Sequence, residues 1–248
     1  MNLILFENTF ESIWLEREDP RAQHLRKVLR VKVGDTVFLG FVNGSRARAK
    51  VVSIAADSSI ELKVVEREPS PQLLPIVMMI GLPRPHTARR ILFEAASMGV
   101  AEMHFFTAER SEPSYAKSHL WQTHEWRERL LRGTEQAFGT RLPEVVVHAD
   151  FESALAGQAQ AAVYLALDNY EADQALGECL PDVCDSVVVA LGPERGWSGN
   201  ERAVFREHEW KLAHLGPHVL RAETACVATV AAVATKLSLW RAPTRTSL

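Results

Sequence analysis

Between Val187 and Ala225 the chain sets out the same pattern twice: a short apolar run, a glycine loop, and a helix start. The first run is Val187-Val188-Val189-Ala190-Leu191, followed by Gly192-Pro193-Glu194-Arg195-Gly196. Its β-branched content and shortness suit a buried strand. Ser198 and Glu201 then stand at capping-box spacing, which predicts a helix from that point. The second unit runs Leu212-Ala213-His214-Leu215-Gly216, then through Leu220-Arg221-Ala222-Glu223-Thr224-Ala225 into a long apolar helix. In open α/β sheets, ligands settle beyond the carboxyl ends of strands, where glycine lets the backbone come close. Two such loops so near each other predict one cofactor pocket walled mostly by backbone. Two ordinary strand–helix connections are the competing reading.

Upstream, the rhythm is strand, helix, strand. Ile76–Ile80 reads as a strand, Thr87–Met98 as a helix and Met103–Thr107 as a strand, with a helix from about Glu125 to Phe138 and strands near Val145 and Val163. Such alternation predicts an α/β domain with a mainly parallel sheet. The N-terminal third reads instead as β. Thr36–Val42 and Arg46–Ile54 flank Asn43-Gly44, a dipeptide suited to the positive φ values of a type I′ hairpin, and Ile60–Val65 adds a strand. Residues 66–75 hold Pro69, Pro71 and Pro75 in a polar context that cannot continue a ladder. The domain boundary is therefore placed there, giving units of 1–70 and 71–248.

Charge separates the same two parts. The net charge is −3, yet residues 21–50 carry Arg21, Arg26, Lys27, Arg30, Lys32, Arg46, Arg48 and Lys50 against Asp35 alone. About −10 is left for the rest of the chain, so a basic module sits on an acidic body, the footprint of polyanion binding. Arg46, Arg48 and Lys50 alternate with Ala47, Ala49 and Val51, giving one basic and one apolar strand face. In His24–Arg30, Leu25, Val28 and Leu29 fall at helical spacing and leave Arg26, Lys27 and Arg30 outside. A solvated basic face without a partner is the bland alternative.

Other classes are excluded. Cys179, Cys184 and Cys226 show no CxxC spacing, and the histidines form no HxxxH or HExxH pair, so no metal site is expected. No run approaches the roughly 20 apolar residues of a membrane span. Met1–Glu7 lacks the basic start of a signal peptide, so a cytoplasmic, reducing location is expected. The last helix, read as Ala225–Trp240, carries Lys236 as its sole charge. A helix apolar around most of its circumference needs cover on more than one side, which predicts a homodimer through 225–240 or a central core helix.

The residues of both glycine loops resemble the cofactor motifs of the ribosomal RNA small-subunit methyltransferase E family, within the knotted SPOUT methyltransferases. Gly192-Pro193-Glu194, Leu215-Gly216, Leu220-Arg221 and Glu223-Thr224-Ala225 carry the likeness. His24-Leu25 with Val28-Leu29-Arg30, Gly99-Val100, Glu109-Arg110-Ser111, Trp126, Glu135-Gln136 and Pro143 follow in family order, so it spans nearly the whole chain. The resemblance implies a PUA-like RNA-binding β domain, an α/β domain with a deep trefoil knot, and a dimer. It further implies that S-adenosylmethionine is used to methylate N3 of a uridine in 16S rRNA or the small ribosomal subunit.

For the cofactor it points to Leu167, Gly192, Glu194, Gly196, Leu215, Gly216, Leu220, Thr224 and Ala225. For catalysis it points to Arg221, Glu223 and Glu194. Arg221 is read either as stabilising charge on the base or as a brace paired with Glu223, and Glu194 either as catalytic or as a ligand of backbone amides. Arg26, Arg30, Arg46 and Arg110 are the candidate RNA contacts. Departures from the family pattern are Arg195 in place of a loop glycine, Ala137 and Gly139 after Gln136, and Glu94 and Ser97 for a lysine and a glutamate. They leave room for a same-fold methyltransferase with another RNA target, or for an inactive RNA-binding homologue.

Overall fold

The computed structural model describes residues 3–158 and 163–240. They form two compact units: the chain up to Gln72 together with Thr134–Leu142, and Leu73–Gly133 with the residues from Pro143 onward.

The first unit is a five-stranded sheet of β1 (Leu3–Phe6), β2 (Ser12–Leu15), β3 (Thr36–Phe41), β4 (Arg46–Ile54) and β5 (Ile60–Glu68), in the order β1-β3-β4-β5-β2. The expected alternation on β4 holds, with Ala47, Ala49 and Val51 buried beside Leu39, Phe41, Ile60 and Leu62. The hairpin forms, but not with a type I′ turn. Only Asn43 takes a positive φ (57°), and the Gly44 N–H returns to the Phe41 carbonyl at 2.7 Å. Tertiary contacts set this shape: Asn43 N–H donates to the Thr140 carbonyl (2.7 Å), and Asn43 Oδ1 accepts from Leu142 N–H (2.9 Å). Segment 134–142, far off in sequence, thereby builds part of the first unit. The stretch expected to be wholly linker begins later than residue 66, because β5 continues to Glu68 opposite Arg46.

Between β2 and β3, α1 (Pro20–His24) is capped by Asp19 and runs into a π-helical turn, Leu25–Leu29, that closes on Arg30 at φ 53°. Here the helical spacing misleads. Leu25 is buried, whereas Val28 is 62% and Leu29 37% exposed, since the wider turn rotates both away from the core.

The second unit is a seven-stranded, all-parallel sheet with order β10-β12-β9-β11-β6-β7-β8. Its strands are β6 (Leu74–Gly81), β7 (Val100–Phe106), β8 (Glu144–His148), β9 (Val163–Leu167), β10 (Gln174–Ala175), β11 (Val187–Leu191) and β12 (Lys211–His214). The helices are α2 (Pro85–Ser97), α3 (His119–Gln122), α4 (Glu125–Gln136), α5 (Phe151–Ala156), α6 (Leu176–Cys179), α7 (Gly199–Glu207) and α8 (Ala222–Lys236). Every residue of β11 is buried, as the apolar run requires of a central strand. Ser198 and Glu201 make the capping box that starts α7. The last helix is shifted from its expected bounds, starting at Ala222 and ending before Trp240. It packs on α2, α6 and β11, burying Cys226, Thr229, Val230, Val233 and Ala234. Burial pushes the Cys226 thiol up to about 12, so this cysteine is inert.

On the β7–β8 edge, His104 Nδ1 and His148 Nε2 lie 2.9 Å apart, and Glu102 Oε2 is 3.2 Å from His104 Nε2. Burial, then the neighbouring His104, hold His148 below its ordinary value of 6.5, against a smaller opposing pull from Asp150. The unfolded chain therefore takes up this proton more readily than the folded one, and stability falls as pH drops below about 6.5. Thermal melts across that range should show the loss, and His148→Gln should flatten it.

Candidate active site and nucleic-acid interface

Four adjacent strands, β12-β9-β11-β6, end at one cleft of about 700 Å³. Leu167–Tyr170 follow β9, Leu191–Trp197 follow β11, and Leu215 with Val219–Glu223 follow β12; Arg84, His86, Thr87 and Arg90 come from the start of α2. The two glycine loops are thus brought together beyond the carboxyl ends of parallel strands.

The first loop lies tightly on its surroundings. A Cβ at Gly81, the last residue of β6, would meet Pro193 Cδ at 2.7 Å, and one at Gly192 would meet Gly196 Cα at 3.3 Å. The left-handed position is Gly196 (φ +65°) and not Arg195, so the arginine is carried without backbone strain and its side chain is exposed. Three side-chain hydrogen bonds fix the loop. Glu194 Oε1 accepts from the Arg84 N–H (2.9 Å), the Arg110 guanidinium donates to the Arg195 carbonyl (3.0 Å), and Trp197 Nε1–H donates to the Leu167 carbonyl (2.8 Å). Buried Glu201 accepts from Ser198 N–H at 2.8 Å and from Glu109 N–H at 2.9 Å, tying the helix start to the 109–111 loop. Backbone groups held this way keep their geometry without a ligand, so little ordering is left to binding.

The wall after β9 rests on a buried ion pair. Asp168 Oδ2 lies 2.7 Å from Arg202 Nε, and Asp168 Oδ1 accepts from the N–H groups of Tyr170 (2.7 Å) and Glu171 (2.6 Å). Both side chains are below a tenth exposed.

Of the cofactor residues read from the sequence, Leu167, Gly192, Glu194, Gly196, Leu215, Leu220 and Ala225 line the cleft. Gly216 and Thr224 do not. Gly216 turns the chain at φ +103°, and its N–H donates to His214 Nδ1 (3.0 Å). Arg221, Glu223 and Glu194 all reach the cleft. The Arg221–Glu223 brace is absent: Glu223 Oε1 is held by Arg90 at 3.1 Å. Arg221, exposed at the start of α8, is left without an ion pair among the described residues. Sequence reading missed Arg84, Arg90, Asp168, Trp197 and Arg202. Only Asp168-Asn169 after an apolar run carried a visible signal, that of an Asx turn.

The basic segment is more neutralised than its composition implies. Arg21 pairs with Asp19 (2.6 Å), Arg46 with Glu68 (3.1 Å) and Arg48 with Glu66, while Arg26 donates to the carbonyls of Arg17 and Ser58. Arg26 and Arg46, read from the sequence as candidate RNA contacts, are engaged by partners within their own unit. Among the described residues Lys27, Arg30, Lys32 and Lys50 keep exposed side chains without an acceptor. Three of these surround the exposed Val28, Leu29 and Val33.

A parallel sheet whose glycine loops wall a cleft, together with a smaller β unit bearing exposed cations, defines a two-module α/β protein with a ligand cleft. Residues 69–234 match the model of an RNA methyltransferase domain, and residues 18–65 that of an RNA methyltransferase PUA domain. The chain belongs to the ribosomal RNA small subunit methyltransferase E family. It is 30% identical to the Treponema pallidum member, over 97% of this chain and 93% of that one. Two solved structures share its fold. A Neisseria gonorrhoeae ribosomal RNA small subunit methyltransferase E bound to S-adenosyl methionine has a TM-score of 0.78 at 23% identity, over 97% of this chain and 98% of the other. A probable rRNA-methyltransferase from Porphyromonas gingivalis has a TM-score of 0.80 at 22% identity, over 97% and 100%.

Proposed function

We propose that the protein transfers a methyl group from S-adenosylmethionine to N3 of a uridine in 16S rRNA of the small ribosomal subunit. The observation that carries this reading is the convergence of both glycine loops on one cleft with Arg221 and Glu223 on its wall. The residues fit the methyl donor. The cleft of about 700 Å³ admits a nucleoside with an amino-acid arm, its loops offer backbone groups to a purine, and a Cβ at Gly192 would press on Gly196 Cα at 3.3 Å, which favours a bare backbone there. When bound, S-adenosylmethionine supplies an electrophilic methyl group on a sulfonium.

The chain's own residues do the rest. Leu167, Gly192, Gly196, Leu215 and Leu220 hold the donor by backbone contacts. Uridine N3 carries a proton at neutral pH and must lose it. The Arg221 guanidinium, without an ion pair among the described residues, stabilises negative charge on the base. Glu223 Oε1 is taken by Arg90, and its other carboxylate oxygen receives the proton. Glu194 holds the loop through Arg84 N–H, a positioning role. Orientation of the two reactants supplies roughly 7–11 kcal/mol of the rate enhancement.

The same reading assigns residues 1–70 to a PUA-like RNA grip and 71–248, apart from the 134–142 segment that joins the first unit, to a SPOUT domain with a trefoil knot. The strand order supports the knot, since β11 fills the gap between β9 and β6 after the chain has already laid down β7 and β8. A homodimer forms through the half-buried face of α8 around Val227, Ala228, Ala231 and Ala232, in the cytoplasm where ribosomal subunits mature. Arg30 and Arg110 contact RNA.

Mass-spectrometric mapping of rRNA from cells with and without the gene tests the reading: loss of one N3-methyluridine from 16S rRNA is expected, and an unchanged map overturns it. Arg30→Glu should weaken RNA binding across sequences and lower the salt slope of the binding constant by about one unit or more. Binding isotherms at several salt concentrations check it.

A further inference from the structure

We propose that Tyr170 is a stacking platform for an unpaired nucleobase of the RNA substrate at the mouth of the cleft. The inference rests on the methyltransferase reading and adds to it a residue that recognises the substrate.

Tyr170 lines the cleft yet is 77% exposed. An aromatic ring gains little for folding in that state, and its position is nevertheless bounded by its neighbours. Its backbone N–H is held by Asp168 Oδ1 at 2.7 Å. The buried Arg202 guanidinium lies 5.5 Å from the ring centroid, and ring atom Cε2 is 3.7 Å from where a Cβ on Gly196 would stand. The ring thus has a cation on one side and open space on the other. Every base has a π-face, and stacking on a fixed aromatic side chain recognises unpaired RNA without demanding a sequence. Charge nearby suits the same ligand: Arg195, next in sequence to Gly196, and Arg110, hydrogen-bonded to the Arg195 carbonyl, are exposed cations placed for flanking phosphates. Exposed Val219 adds an apolar wall. An adenine of the methyl donor is the rival occupant. The solvent-facing ring argues against it, because backbone loops deeper in the cleft already offer enclosure.

The test compares wild type, Tyr170→Phe and Tyr170→Ala. Three quantities are measured: the KM for small ribosomal subunits lacking the methyl group, affinity for single-stranded oligouridylate, and calorimetric affinity for S-adenosylmethionine. Tyr170→Ala should raise KM and weaken oligouridylate binding about tenfold, with donor affinity and melting temperature unchanged, and Tyr170→Phe should match wild type. Unchanged oligouridylate affinity in Tyr170→Ala overturns the platform whether or not wild type methylates. Weakened donor affinity at unchanged RNA affinity also overturns it, handing the ring to the donor. A wild type that binds oligouridylate through Tyr170 but transfers no methyl group overturns the functional reading alone.

Discussion

Arg221→Met is expected to slow methyl transfer about 100- to 1000-fold, the usual loss when a preorganised donor to a developing oxyanion is removed. The side chain is exposed and carries no ion pair among the described residues, so its removal should leave the melting temperature within a degree or two, as for other surface substitutions. Rate and stability are therefore separable at this position. Arg221→Lys should recover only part of the rate, because an ammonium does not reproduce a planar guanidinium fork. Single-turnover transfer from labelled S-adenosylmethionine to subunits lacking the methyl group measures the step. A rate within threefold of wild type would remove Arg221 from the chemistry and shift attention to Arg90, whose guanidinium also lines the cleft.

Arg202→Met should be the most destabilising simple substitution near the cleft. It strands Asp168 in a site where that carboxylate is 1% exposed, and breaking a buried pair from one side costs about 3–5 kcal/mol. In a unit of this size that corresponds to a fall in melting temperature of roughly 10 °C or more. Two backbone N–H groups still reach Asp168, which favours the lower end of the range. The double variant Asp168→Asn/Arg202→Met should recover part of the loss, since an uncharged amide can stay buried between those donors. Differential scanning calorimetry of the two single variants and the double variant decides it. Equal melting points for Arg202→Met and wild type would mean that water solvates the pair. The same substitution removes the cation beneath Tyr170, so RNA affinity should fall with stability.

The sequence made the cleft legible because its information is local. The β-branched run 187–191, the Ser198–Glu201 box and the glycines are short-range instructions, and the structure follows each of them. Arg195 raised a question that only backbone angles answered, with Gly196 alone taking the left-handed region in that loop. The charge pattern was less trustworthy. Counting residues 21–50 could not foresee that antiparallel register sets Glu66 and Glu68 opposite Arg48 and Arg46. The helical spacing of Leu25, Val28 and Leu29 likewise failed, because a π turn changes the residue-to-face relation on which such periodicity depends.

What the residues alone determined is the kind of module: a β unit, a parallel α/β sheet, and family motifs whose order spans the chain. What the tertiary structure decided is which side chains meet. Glu223 turned to Arg90 and not to Arg221, Asp168 found Arg202, and segment 134–142 joined residues far earlier in the chain. The reason is physical. Backbone propensity acts over a few residues, whereas ion pairs and buried hydrogen bonds depend on distances that exist only after distant strands have paired and excluded water.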